Sequence, residues 1–160
     1  LEDYSLIAQN NFYFSNSSRF LSQYLTGDFP LTNTPSIVSG LSMGLNNGKK
    51  YQIDYNLHYS GSSTTEGVSI GFSGTNQAVY ARGNLLINDY SKSPKTYAVT
   101  GYNQMNTSDH GDTSVSNILF NAFVVNGDNA STLHLLAAKE TSGPNTVSIT
   151  AGSWVTVTEY

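Results

Sequence analysis

Between residues 49 and 60 the side chains alternate without a break. Tyr51, Ile53, Tyr55, Leu57 and Tyr59 fall in one phase; Gln52, Asp54, Asn56 and His58 fall in the other. A period of two sustained this long specifies a β-strand with one buried face and one face left for water or a partner. Asn46-Asn47-Gly48 just before it is a turn signal, because Asn and Gly tolerate positive φ. After the loop Gly61-Ser62-Ser63-Thr64-Thr65, Val68, Ile70 and Phe72 alternate with Ser69, Gly71 and Ser73. The two segments are therefore expected to form a long hairpin.

The same pattern predicts strands over 78–87, 96–102, 116–126, 132–139, 146–150 and 153–159, with Ile118, Phe120, Ala122 and Val124 in phase in the third. Each is bounded by turn chemistry, as at Asn126-Gly127-Asp128-Asn129, Ser142-Gly143-Pro144-Asn145 and Ala151-Gly152. The first part of the chain is less regular. Phe12 and Phe14 alternate, 20–25 fits either a strand or one helical turn, and 36–45 is strand-like but interrupted by Gly40 and Gly44. Ser, Thr and Asn together make up 55 of the 160 residues, types that favour strands and turns over helix interiors, so a helical bundle is excluded. The expected fold is all-β: an antiparallel jelly-roll sandwich of about eight to ten strands in one domain. No fixed-period repeat points to a propeller or solenoid.

Charge and cysteine content narrow the partners. Lys and Arg number 7 against 11 Asp and Glu, with no basic run, so the counterion-release term that drives nucleic-acid binding is missing. With no cysteine there is no disulfide, thiolate metal site or cysteine nucleophile. Apolar runs such as 85–87 and 123–125 fall far short of the ~20 residues that span a bilayer, so membrane insertion is not expected. The start, Leu1-Glu2-Asp3-Tyr4, carries no basic region followed by an apolar stretch, hence no expected signal peptide.

Three segments in order carry a family resemblance: Gly48-Lys49-Lys50-Tyr51-Gln52-Ile53, Gly67-Val68-Ser69-Ile70-Gly71-Phe72-Ser73-Gly74, and Val147-Ser148-Ile149-Thr150-Ala151-Gly152-Ser153-Trp154-Val155. Over about residues 36–160 the chain resembles the carboxy-terminal domains of bacteriophage tail-fibre, tail-spike and neck-appendage proteins. These are similar to the tumour necrosis factor and complement globular-head jelly rolls and commonly form trimers at a fibre tip. The resemblance implies a homotrimer on the virion, binding a host-surface glycan without catalysis, metal or cofactor. It also implies an alternative, an intramolecular chaperone that brings three chains into register and is then removed by self-cleavage, for which Glu2 and Asp3 would be nearby acids. A secreted bacterial carbohydrate-binding module is a third reading. Residues 1–35 match no part of the pattern and are expected to be a lead-in, packed on the sandwich or continuing from an upstream shaft.

Tyr51, Tyr55 and Tyr59 share the apolar phase and are expected in the core or a subunit interface. Eleven Tyr and seven Phe exceed what one sandwich core needs, which favours a subunit interface. Tyr80, Tyr90 and Tyr102 are less clearly in phase and are the expected exposed aromatics for sugar stacking. The densest polar segment, 106–113, offers Asp109, His110 and Asp112 to sugar hydroxyls; their spacing fits no recognised calcium loop. Asp54 and His58 share a strand face about 13 Å apart at ~3.3 Å per residue, too far for a dyad. No G-x-S-x-G elbow or phosphate loop is present, and Glu66, Asp89, Asp109 and Glu140 fall in different loops with nothing to pair them as glycosidase acids.

Overall fold

The structure, a computed structural model, describes residues 11–14, 18–88, 93–107 and 115–160. Fourteen strands are present among them: β1 Asn11–Phe14, β2 Ser18–Tyr24, β3 Phe29–Pro30, β4 Ser36–Ile37, β5 Met43–Leu45, β6 Lys50–Gly61, β7 Val68–Gly74, β8 Tyr80–Asn88, β9 Lys95–Val99, β10 Asn106–Thr107, β11 Ser116–Val125, β12 Ser131–Lys139, β13 Val147–Ile149 and β14 Trp154–Glu159. Every pairing is antiparallel. The larger sheet runs β1-β2-β14-β6-β11-β8-β9, with β13 also on β6; the smaller runs β10-β7-β12 and ends on β4 and β5.

This pairing is that of a jelly roll. Taking β2, β4/β5, β6, β7, β10, β11, β12 and β14 in chain order, the first pairs with the last, the second with the seventh, the third with the sixth and the fourth with the fifth. The β8–β9 hairpin is inserted between the fourth and fifth strands and extends the larger sheet beyond β11. The strand count exceeds eight to ten because the two-residue strands β3 and β10 lie outside the expected segments and because 36–45 breaks into β4, a 3₁₀ turn over Ser39–Leu41, and β5. Gly40 sits in that turn, where an added Cβ would lie 2.8 Å from Leu25 Cδ1.

The expected hairpin between 49–60 and 68–73 does not form. β6 lies in the larger sheet between β14 and β11, whereas β7 lies in the smaller between β10 and β12, so the intervening loop is a corner joining the two sheets. Residues 126–130 and 140–146 are corners of the same kind. Residues 18–35 are also part of the sandwich rather than a segment apart from it. β2 pairs with β14 from Arg19↔Glu159 to Trp154↔Tyr24, and β3 pairs with β13.

The core lies between the sheets. Tyr51, Tyr55 and Tyr59 are fully buried there with Ile53 and Leu57, as their phase requires. Tyr55 stacks on Phe120 with centroids 5.9 Å apart, and Phe72 of the opposite sheet meets Phe120 at 5.1 Å, so one aromatic cluster bridges both layers. The Ala151-Gly152-Ser153 corner has a specific role. Gly152 takes φ +85°, a conformation that favours glycine. The buried Ser153 Oγ donates to Thr150 O at 2.8 Å and accepts from His58 N at 2.9 Å, tying the corner before β14 to β6. Gly48, at φ +67°, closes the turn before β6.

Candidate functional site: the outer face of the larger sheet

The alternation that buries Tyr51 through Tyr59 sends Gln52, Asp54, Asn56 and His58 to the outer face of β6. Register then fixes their neighbours. Across the sheet, Thr158, Gln52, Phe123 and Arg82 form one row. Thr156, Asp54, Asn121, Asn84 and Ala98 form the next. Trp154, Asn56, Leu119, Leu86 and Thr96 form the third. The face thus mixes amides and hydroxyls with one acid, Asp54, one base, Arg82, and the apolar Leu86 and Leu119, and carries exposed aromatic groups. Tyr24 and Trp154 face each other across β2 and β14, 59% and 37% exposed. Tyr80 and Phe123, 43% and 41% exposed, meet edge to face at 6.3 Å on the other margin, with the Arg82 guanidinium 5.5 Å from the Tyr80 ring centre.

A groove of about 500 Å³ crosses the face over β6, β11, β8 and β9. Its walls include Gln52, Arg82, Asn84, Thr100, Asn121 and Phe123. Gly83 in its floor answers to the core side of the sheet: it shares the inward phase of β8 with Ala81 and Leu85, and a Cβ there would collide with Asn121 O and come within 2.9 Å of the buried Phe120 ring. Beside the groove, Asp54 orients two amides. Asn121 Nδ2 donates to its Oδ1 at 2.6 Å and Gln52 Nε2 to its Oδ2 at 3.3 Å, which leaves each amide its oxygen and a second N–H for other partners. Farther along, Asn117 Nδ2 donates to Asn56 Oδ1 at 2.6 Å. At the β9 edge Gln104 takes the place of a neighbouring strand, accepting from Thr100 N at 2.8 Å and donating to Ala98 O at 3.2 Å, so that edge is capped.

Of the residues expected from sequence to bind a ligand, Tyr80 lies on this margin. Tyr102 does not: its ring packs edge to face against Phe72 at 5.3 Å and its hydroxyl is buried, so it belongs to the packing at the end of the core. That burial raises its pKa to about 12. Tyr90, Asp109, His110 and Asp112 lie outside the described residues. Sequence reasoning passed over Gln52, Asn84, Asn121 and Phe123. Their signal was the outward phase of their strands, and only the register of three strands, β6, β11 and β8, gathers them.

Other constellations are less developed. A cleft of about 530 Å³ between β2 and β5 is lined by Arg19, Gln23, Met43, Asn46 and Ser131, but the nearby Glu159 carboxylate already accepts from Tyr51 Oη and Asn46 Nδ2, each at 2.8 Å. On the smaller sheet Ser42 Oγ and His134 Nδ1 are 2.9 Å apart, and among the described residues no carboxylate is hydrogen-bonded to that imidazole. The described residues hold no group of three or more His, Cys, Asp or Glu placed to share a metal, and no helix long and apolar enough to cross a membrane.

No protein-family model and no curated protein matches the chain. Among solved structures it is similar to a family two carbohydrate esterase from Cellvibrio japonicus (11% identity, TM-score 0.29, covering 84% of this chain and 36% of the other). It is also similar to infectious bursal disease virus, Gx strain (14%, 0.27, 91% and 40%), and to TmCBM61 in complex with beta-1,4-galactotriose (10%, 0.21, 79% and 74%). The chain thus spans well under half the length of the first two. At such scores these likenesses decide nothing about function, and the jelly-roll assignment rests on the strand pairing.

Proposed function

We propose that this jelly roll is a non-catalytic glycan-recognition domain, the trimeric host-receptor tip of a phage tail fibre or appendage. The observation that carries the binding role is the outer face of the larger sheet. There a groove of about 500 Å³ is walled by amides and bordered by exposed aromatic rings, the combination that satisfies both the hydroxyls and the apolar side of a pyranose. The Tyr24–Trp154 pair on the opposite margin of the same face supports burial against a neighbouring copy, since large aromatics with a polar tip suit subunit contacts. Three weak sites on one tip would gain by avidity what each lacks alone. The fibre location rests on the three sequence segments that resemble phage carboxy-terminal domains.

Light scattering combined with an array of wall and capsule glycans tests this reading. A trimer of about 52 kDa, three times 17.3 kDa, that binds glycans is the expected result. A 17 kDa monomer with a glycan site would favour a secreted binding module. A protein that binds no glycan at millimolar concentration would overturn the receptor role.

A further inference from the structure

Resting on that reading, we propose that the groove over β6, β11, β8 and β9 recognises acidic glycans, stacking a sugar ring on Phe123 and holding that sugar's carboxylate or phosphate on the Arg82 guanidinium. Arg82 is the one charged residue in the lining of the groove. It is exposed, and among the described residues no carboxylate is paired with it. The Tyr80 ring, 5.5 Å from the guanidinium, steadies the side chain without using its N–H groups. The planar fork of donors is therefore left for an anion with two or more oxygens.

The neighbours of Arg82 are suited to the same ligand. Gln52 and Asn121 each keep a second N–H after donating to Asp54, and the exposed Asn84, opposite Asn121, adds another amide. Phe123, 41% exposed, lies opposite Arg82 on one side and Gln52 on the other, and offers its ring to the C–H face of a pyranose. Lys50, exposed and outward two residues before Gln52, is a diagonal neighbour of Phe123, which thus has a cation on each adjacent strand. The charge that opposes an anion is Asp54. It does not line the groove, and two amides already share its oxygens. Register sets it two strands and two residues from Arg82, about 12 Å between Cα atoms at ~4.8 Å per strand and ~3.3 Å per residue. Physiological salt screens exposed charges beyond about 8 Å, so the attraction at Arg82 prevails there.

Calorimetric titration of the whole chain with two matched pairs tests the assignment: trigalacturonate against its methyl ester, and galactose 6-phosphate against galactose. In at least one pair the acid should bind about tenfold or more tighter than its neutral match, the margin of a charge-assisted over a neutral hydrogen bond, and the pair that discriminates tells carboxylate from phosphate. The preference should shrink at high salt. Arg82→Gln should abolish it, bringing the acid down to its neutral match, whereas Arg82→Lys, which keeps the charge but not the fork, should retain part of it. Phe123→Ala should weaken acid and neutral match alike, since it removes only the stacking surface. Ser73→Ala on the opposite sheet should change nothing, and thermal unfolding of each variant confirms that it is folded. An acid bound no tighter than its neutral match in both pairs, or a preference that survives Arg82→Gln, would overturn this inference while leaving glycan recognition intact. An array on which no sugar binds, acidic or neutral, would overturn the glycan reading itself.

Discussion

Replacing Lys139 with methionine is expected to destabilise the domain by about 3–5 kcal/mol, the usual cost of stranding one member of a buried ion pair. Lys139 closes β12, and its ammonium lies 3.4 Å from Glu66 Oε1, the two side chains being 12% and 1% exposed. The same ammonium donates to the carbonyl oxygens of Gly143 and Asn145, at 2.5 Å and 3.0 Å, so it also pins the β12–β13 corner. Without it, the Glu66 carboxylate would keep only the hydrogen bond from Thr141 Oγ1 at 3.0 Å. Urea denaturation measures the loss. Combining Lys139→Met with Glu66→Gln should recover part of it, because no charge is then left buried. A loss below about 1 kcal/mol for the single substitution, the range of a solvated surface pair, would contradict the account.

Stability should also fall steeply in alkali, beginning near pH 10. Burial raises the pKa of Tyr51 and Tyr55 well above that of a free phenol, and the hydrogen bond from Tyr51 to the Glu159 carboxylate adds to the first. Burial likewise raises Tyr102 to about 12. Below pH 10 all three are neutral in both states, and their packing contributes in full. Above it the unfolded chain loses protons that the folded chain keeps, so unfolding is favoured increasingly until the folded phenols themselves ionise. Each group contributes a slope of about 1.4 kcal/mol per pH unit, or roughly 3 kcal/mol per unit for Tyr51 and Tyr55 together. Urea midpoints measured between pH 9 and 12 check this. Tyr55→Phe should flatten the slope by about one third if Tyr102 titrates with the other two. A midpoint independent of pH over that range would show that the phenols are solvated.

Much of the fold was legible because one-sided burial writes itself into a strand as alternation. Residues 49–60, 116–126, 132–139 and 153–159 all became strands close to the expected bounds. Pairing was less legible. Gly, Asn, Asp and Ser serve a hairpin and a sheet-to-sheet corner equally, so the loop after β6 carried no mark that β7 would join the other layer. The role of β2 was hidden for a related reason: its partner β14 lies at the far end of the chain, and seven residues fit a helical turn as readily as a strand. The candidate site was the least legible part. The sequence pointed to Tyr80, Tyr90 and Tyr102 and to the polar segment 106–113, whereas the groove is assembled from residues 52, 82–84, 98–100 and 121–123. The polar phase of β6 hinted at it, but a solvated face has the same pattern until register sets Asn121 against Asp54 and Phe123 against Gln52.

The most direct test of where ligands bind is amide and side-chain chemical-shift mapping of the labelled protein titrated with an oligosaccharide. The account predicts the largest changes at the side-chain amides of Gln52, Asn84 and Asn121 and at the Phe123 ring, with the smaller sheet unmoved. Shifts confined to the corners at 62–66 and 126–130, with those amides unchanged at saturation, would contradict it.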